Sequence, residues 1–155
     1  NVDIQEVENV VIWGNHSATQ VPDFVNATIS GKKAANVIAD QMWLENEFIE
    51  TVQKRGAAVI AARGKSSAAS AANATLDGVR SIFQPGPIFS SCICSDNNPY
   101  GIQEGLIFSF PCAMTSPGHV NIVEGYDVDP FLNEKIAITE KELLEERDAV
   151  SHLLK

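Results

Sequence analysis

One histidine, His16, is placed where a chain often presents a general base. It follows an apolar, β-branched run that ends at Gly14, and polar side chains flank it on both sides. A strand that ends on a glycine can deliver an imidazole into a polar loop, and loops on a rigid scaffold carry many catalytic groups. His119 and His152 do not follow an apolar run that ends on a glycine and leads into a polar loop. His16 is therefore the candidate proton acceptor and donor, although a structural loop histidine fits the same pattern.

Several other chemistries are excluded because their motifs are missing from the sequence. It contains no nucleophile elbow, no Walker loop, no HExxH and no glycine-rich dinucleotide fingerprint after a strand. Cys92 and Cys94 are two residues apart in a strand-like run, and Cys112 lies alone in another. Because no second cysteine pair could complete a zinc site, we expect three buried, reduced cysteines and no metal.

Composition and charge narrow the class of protein further. The chain has 155 residues, 45% of them hydrophobic and 20% charged, which is typical of a globular protein with its own core. Its formal net charge of -9 argues against a nucleic acid or an anionic membrane as partner. No apolar run approaches the roughly 20 residues of a membrane helix. We expect a single domain over residues 1–155 in a reducing compartment.

Apolar periodicity and turn signals predict an α+β order of elements. Alternating segments predict a first strand and then a hairpin around Ser30-Gly31. Three later strands around a DNNPYG loop predict an antiparallel meander. The predicted strands cover residues 10–13, 24–29, 32–38, 88–95, 106–114 and 120–124.

Three helices are predicted to pack beside these strands. The first begins near Trp43, carries an apolar residue at every fourth position and ends at Gly64, with Gly56 as a possible kink. The second, residues 66–83, is rich in alanine, so its small side chains could face a neighbouring helix or a flat ligand. Thr139 and Glu142 resemble a capping box that begins the last helix, whose apolar face would hold Leu143, Val150 and Leu154.

Four segments in order resemble the second half of malate dehydrogenases of the cytosolic and bacterial type. They are IWGNHSATQVPDF, TVQKRGAAVIAARGKSSAASAANA, NPYGIQEGLIFSFPC and ITEKELLEERDAV. The chloroplast NADP-linked enzymes are also similar. The lactate dehydrogenase branch normally has Gly-Glu-His-Gly where this chain has Gly-Asn-His-Ser, so the resemblance favours malate. It implies the C-terminal α+β domain of that superfamily, with an antiparallel sheet and long packed helices.

The resemblance also implies roles for particular residues. His16 matches the catalytic residue that takes the malate hydroxyl proton as hydride leaves for the nicotinamide of NAD or NADP. Ser66 matches a position facing the substrate pocket, and Ser70 matches one beside the nicotinamide carboxamide. Malate and oxaloacetate would be the substrates, a second copy the dimer partner, and the cytoplasm the location.

The chain also departs from the family's full pattern. The nucleotide-binding Rossmann half is not among these residues, and neither is the aspartate-arginine motif that orients the histidine and clamps the substrate carboxylate. We therefore expect a substrate-side domain that is inactive alone. Two alternatives stay open, namely a non-catalytic binding or dimerisation module of the same fold and a dehydrogenase of lactate or another 2-hydroxy acid.

Overall fold

The computed structural model describes residues 2–154, in which eight strands form three antiparallel sheets. One sheet has the order β1-β4-β5, a second pairs β2 with β3, and a third has the order β6-β7-β8. The strands are β1 (Val7–Glu8), β2 (Ile12–Trp13), β3 (Val21–Pro22), β4 (Thr28–Ile29), β5 (Lys32–Lys33), β6 (Phe89–Cys94), β7 (Ile107–Ser116) and β8 (His119–Ile122).

Two long helical segments separate the small sheets from the meander, and a third follows it. None of the helices described is long and apolar enough to cross a bilayer. The α+β class and the antiparallel meander are confirmed. The helices are α1 (Ala34–Ile38), α2 (Gln41–Trp43), a π turn (Leu44–Phe48), α3 (Ile49–Arg63), α4 (Ala69–Phe83) and α5 (Pro130–Ala149), with short 3-10 turns at Ile4–Glu6 and Ser151–Leu153.

The β6-β7-β8 meander forms one wall of the core. Residues alternate between more and less exposed along β6, as expected for a strand with one covered face. Cys92 and Cys94 do share a face, but it is the exposed one, so the expectation that all three cysteines are buried is wrong. Only Cys112 is buried, and burial raises the pKa of its thiol to about 11.

Trp13, at the end of β2, is the centre of the core and is fully buried. The rings of Tyr100 and Tyr126 meet it edge-on, with centroids 4.8 and 6.1 Å away. Its indole Nε1 donates to the buried Asp23 Oδ2 at 3.0 Å. Asp23 also accepts from the backbone and side chain of Asn26, at 2.9 and 2.8 Å. These contacts fix the residue that immediately precedes the histidine loop.

The first half of the chain has shorter strands than the sequence predicted. Because Asp23 closes a turn onto Asn26, residues 24–27 are not extended, and only β4 remains of the predicted strand 24–29. The Ser30-Gly31 turn is confirmed by the β4–β5 pairing. The chain then enters α1 at Ala34 instead of continuing as a strand to residue 38.

The predicted long helix is confirmed as one helical run from α2 to α3. Asp40 accepts from the Trp43 amide at 2.9 Å and begins it, and Gly64, with φ 72°, ends it. The irregularity is the π turn, not Gly56, which lies inside α3 with no atom close to the place a Cβ would occupy.

The other two helices begin at different residues from those predicted. Helix α4 starts at Ala69, so Ser66 lies in the loop before it. Helix α5 starts at Pro130, where Asp129 accepts from the Leu132 amide at 2.8 Å. Thr139 is therefore mid-helix and fully buried, and the proposed capping box is wrong.

The predicted apolar face of the last helix is also only partly correct. Leu143 packs against the core, but Val150 and Leu154 are exposed, because the helix ends at Ala149. Leu132 and Ile136, about two turns and one turn before the predicted start, supply the buried face instead.

The Trp13–Asp23 contact predicts a large stability effect. Asp23→Ala leaves the buried indole N–H without an acceptor and opens the turn at Asn26, so the free energy of unfolding should fall by about 2–3 kcal/mol. Urea unfolding followed by tryptophan fluorescence measures it. The control is Asp148→Ala on the exposed face of α5, which should change stability by less than about 0.5 kcal/mol. Equal effects of the two substitutions would contradict this account of the core.

Candidate active site

The end of β2 is locked to the meander just before His16. The amide of Gly14 donates to the Ser109 carbonyl at 3.1 Å, and the Ser109 amide donates back to the Gly14 carbonyl at 3.0 Å. Gly14 has a φ of +93°, a region that side-chain-bearing residues rarely adopt. The chain leaves the sheet there, and His16 occupies the loop that returns through β3.

Helix α5 packs closely against the same glycine on the side opposite β7. A Cβ built on Gly14 would lie 2.2 Å from Thr139 Cγ2 and 2.4 Å from its Oγ1. The Thr139 hydroxyl also accepts from the Asn15 amide at 2.9 Å. Glycine is thus required at position 14 both for its backbone angle and for this close approach.

A carboxylate on α5 accepts hydrogen bonds from the polar side chains on both sides of His16. Glu142 Oε2 accepts from the hydroxyls of Ser17 and Thr19, each at 2.5 Å, and from Asn15 Nδ2 at 3.2 Å. The hydrogen bonds from Ser17 and Thr19 hold the pKa of Glu142 below its ordinary value. Asn15 Nδ2 also donates to Glu146 Oε1 at 3.1 Å.

His16 itself is exposed, and within residues 2–154 its imidazole has no hydrogen-bond partner. It stands beside a cavity of about 220 Å³ whose walls come from β2, β6, β7 and the loop. An exposed imidazole on a fixed loop can accept and return a proton from a small molecule in that cavity. The lining residues are Ile12, Gly14, Asn15, His16, Gln20, Cys92 and Ser109.

The two predicted serines lie elsewhere. Ser66 and Ser70 line a separate cavity of about 410 Å³ between α3 and the start of α4, together with Arg55. Both serines are exposed. The structure therefore brings Ser66 and Ser70 together but does not bring them into the His16 cavity. Their assignment to substrate and cofactor stays a prediction.

One contact connects the helix that lines the serine cavity to the histidine loop. Gln53 Nε2 on α3 donates to the Gln20 carbonyl at 2.9 Å, and Arg55, which lines the serine cavity, follows two residues later.

The backbone is strained beside the two serines. Ala68 has a φ of +53° without being glycine, and backbone strain of this kind often marks functional segments.

Sequence reasoning missed the residues that hold the loop. Thr139 and Glu142 were interpreted as a cap, although their spacing of three residues also places two polar groups on one helix face. These two polar residues lie on the same face of α5 as the buried Ile136. Polar residues on a buried face indicate a contact with another part of the chain, and this was the signal that could have identified them. Within residues 2–154, no three His, Cys, Asp or Glu side chains come together as a metal-ligand set.

A family model matches residues 1–154, described as the lactate/malate dehydrogenase, alpha/beta C-terminal domain. The chain belongs to this family. Among curated relatives, it is 60% identical to a malate dehydrogenase from Protochlamydia amoebophila, over 99% of this chain and 48% of that protein. A malate dehydrogenase from Chlamydia pneumoniae is 56% identical over 98% of this chain and 47% of its own length.

Solved structures of the family superpose on this domain. Malate dehydrogenase from Naegleria fowleri matches with a TM-score of 0.90 and 42% identity, over 99% of this chain and 47% of that one. Trichomonas vaginalis lactate dehydrogenase, in complex with NADH and oxamate, matches with a TM-score of 0.91 and 34% identity, over 98% and 48%. The lactate/malate dehydrogenase chain described here thus spans about half the length of the relatives it matches.

The close approach of α5 to this dehydrogenase domain's Gly14 can be tested against a matched glycine. Gly14→Ala should lower the free energy of unfolding by about 3 kcal/mol or more, since it combines an unfavourable φ with a steric clash. Gly31 also has a positive φ but open space around it, so Gly31→Ala should cost only about 1–2 kcal/mol. Chemical denaturation of both variants measures the difference, and equal losses would show that the contact with Thr139 adds nothing.

The lowered pKa of Glu142 predicts a specific titration. Its hydrogen bonds contribute fully above the ordinary glutamate pKa of about 4.3 and are lost as the pH falls through the lowered value in the folded protein. Ser17→Ala should raise the pKa of Glu142, measured by NMR of the carboxyl carbon. Ser81→Ala, on α4, should not change it.

Proposed function

We propose that this chain is the substrate-side half of a malate dehydrogenase, which interconverts malate and oxaloacetate with NAD or NADP. The observation that carries the proposal is the exposed His16 imidazole, held beside a cavity by β7 and α5 in a domain 60% identical to a malate dehydrogenase. In oxidation, His16 takes the proton of the substrate hydroxyl while a hydride leaves the carbon that bears this hydroxyl. In reduction, His16 returns that proton to the carbonyl oxygen.

The cofactor accepts or supplies the hydride, and most of its binding site belongs to the family's nucleotide-binding half. The cavity between α3 and α4 fits a contribution to that site, because its lining combines serine hydroxyls with the positive charge of Arg55. In this proposal Ser66 faces the substrate and Ser70 lies beside the nicotinamide carboxamide. The NADH bound in the Trichomonas vaginalis relative supports NAD as the cofactor.

The proposal includes a homodimer in the cytoplasm. Helix α4 exposes Leu76, Val79 and Phe83, each more than half accessible. A helix surface of this kind fits an interface with a second copy or with the nucleotide-binding half.

The three free cysteines fit a reducing compartment such as the cytoplasm. By itself the domain should be inactive, since the groups that bind most of the cofactor and clamp the substrate carboxylate are not among these residues.

The decisive experiment removes the imidazole in the complete enzyme, with this chain joined to its nucleotide-binding half. His16→Ala should lower kcat for malate by at least about 10²-fold, because it removes the general base. His152→Ala, at an exposed position after α5, is the control and should keep turnover unchanged. Assaying malate and lactate in parallel identifies the preferred substrate.

Each outcome of that assay decides between the proposals. Near-normal malate turnover in His16→Ala would reject the role of His16. Faster turnover of lactate than of malate by the unaltered enzyme would favour the lactate or 2-hydroxy-acid alternative. No turnover of either substrate, together with stable self-association of the folded protein, would favour the binding or dimerisation module.

A further inference from the structure

We infer that Glu142 is a positioning residue for the His16 loop, acting through Asn15, Ser17 and Thr19. Its importance for turnover rests on the proposed role of His16, whereas its effect on the loop does not. Among residues 2–154, the hydrogen bonds of Glu142 go to Asn15, Ser17 and Thr19 and not to the imidazole, so we assign it no role as a general base.

The loop has little support of its own. Its internal backbone hydrogen bonds are those from the Ser17 amide to the Asn15 carbonyl, at 2.9 Å, and from the Gln20 amide to the Ser17 carbonyl, at 3.3 Å. Gly14 is held by β7, and Gln20 is held by Gln53. Between these ends, the side chains flanking His16 are anchored by α5.

The protons in this network can be assigned in one consistent direction. The Thr19 hydroxyl lies 2.5 Å from Glu142 Oε2 and 2.9 Å from Thr139 Oγ1, but it has a single proton. The carboxylate is the stronger acceptor, so Thr19 donates to Glu142. Thr139 Oγ1 accepts from the Asn15 amide at 2.9 Å, so the same hydroxyl oxygen that approaches Gly14 also holds the residue before His16.

Ser17, directly after the histidine, completes the network. Its hydroxyl donates to Glu142, and its oxygen accepts from the Thr19 amide at 3.0 Å. The hydroxyls of both Ser17 and Thr19 therefore donate to the Glu142 carboxylate. An ionised carboxylate is an acceptor only and can take several hydrogen bonds, whereas a neutral amide oxygen accepts them about half as strongly.

The helix that carries Glu142 is itself fixed by the core. Leu132 and Ile136 are buried, and Thr139 is fully buried against Gly14. The position of α5 is therefore transmitted to the loop through Thr139 and, one turn later, Glu142. A loop held at its polar side chains keeps the imidazole in one place while its ring stays exposed, which is what proton transfer to a bound substrate requires.

The first test measures the loop directly and needs no activity. Amide hydrogen exchange by NMR is compared in the unaltered protein, Glu142→Gln and Glu145→Gln. The last is a matched charge change on the exposed side of α5. We expect exchange at Asn15 and Thr19 to accelerate about fivefold or more in Glu142→Gln and to stay unchanged in Glu145→Gln. Unchanged exchange at both amides in Glu142→Gln would overturn the inference.

The second test is a double-mutant cycle on turnover in the complete enzyme. Ser17→Ala and Glu142→Gln should each lower kcat about tenfold and change KM by less than about twofold, since the base is misplaced while most substrate contacts remain. Together they should cost no more than either alone, because they interrupt the same hydrogen bond. Ser17→Ala with Glu145→Gln should show no coupling.

The two tests separate the possible failures. Faster exchange with unchanged kcat would mean that the loop is held by Glu142 but that turnover does not depend on it, which overturns the positioning role. If His16→Ala keeps full activity, the proposed function fails, while the exchange data still decide whether Glu142 holds the loop. Additive losses in the Ser17 and Glu142 cycle would overturn the shared network.

Discussion

The contact between Thr139 and Gly14 is the constraint on which the rest of the site depends. The threonine methyl and hydroxyl occupy the space that a side chain at position 14 would fill. On the opposite side, Gly14 pairs with Ser109 of β7 in both directions. The backbone thus passes between a strand and a helix with no room for a Cβ. Wherever α5 and the meander are placed by the core, the start of the histidine loop has to follow.

The core supplies this placement through a few buried side chains. Trp13 is fully buried, and its indole N–H is held by Asp23, so the residue before Gly14 cannot slide along the sheet without breaking a buried hydrogen bond. Leu132 and Ile136 fix α5 against the same cluster of core residues. The histidine loop is therefore connected to the core at its start by packing and at its sides by hydrogen bonds.

The sequence predicted the meander and the last turn of α3 well because those signals are local. Strand-like runs between turn-forming residues mark β6 and β7, and Gly64 ends a helix by its own conformational freedom. The strand 24–29 was wrong because Asp23, whose partner Trp13 is ten residues earlier, folds the backbone back on Asn26.

In the candidate site, too, some residues could be predicted from their neighbours in the sequence and others only from distant contacts. His16 could be selected from its immediate neighbours, since the glycine and the polar loop are adjacent to it. Thr139 and Glu142 could not, because a threonine followed three residues later by a glutamate is also the local pattern of a capping box. Only the position of the true cap at Asp129, and a partner loop 120 or more residues earlier in the chain, distinguishes the two meanings.

The electrostatics of the loop suit a base that changes charge. The hydrogen bonds that lower the pKa of Glu142 keep it ionised well below the pH range in which imidazoles titrate. The support of the loop is then the same whether an imidazole beside it is neutral or protonated. A support that titrated in that range would loosen the loop at one stage of each proton transfer. A carboxylate kept ionised by hydroxyl donors avoids this, which gives a physical reason for an acidic side chain at position 142 instead of a neutral one.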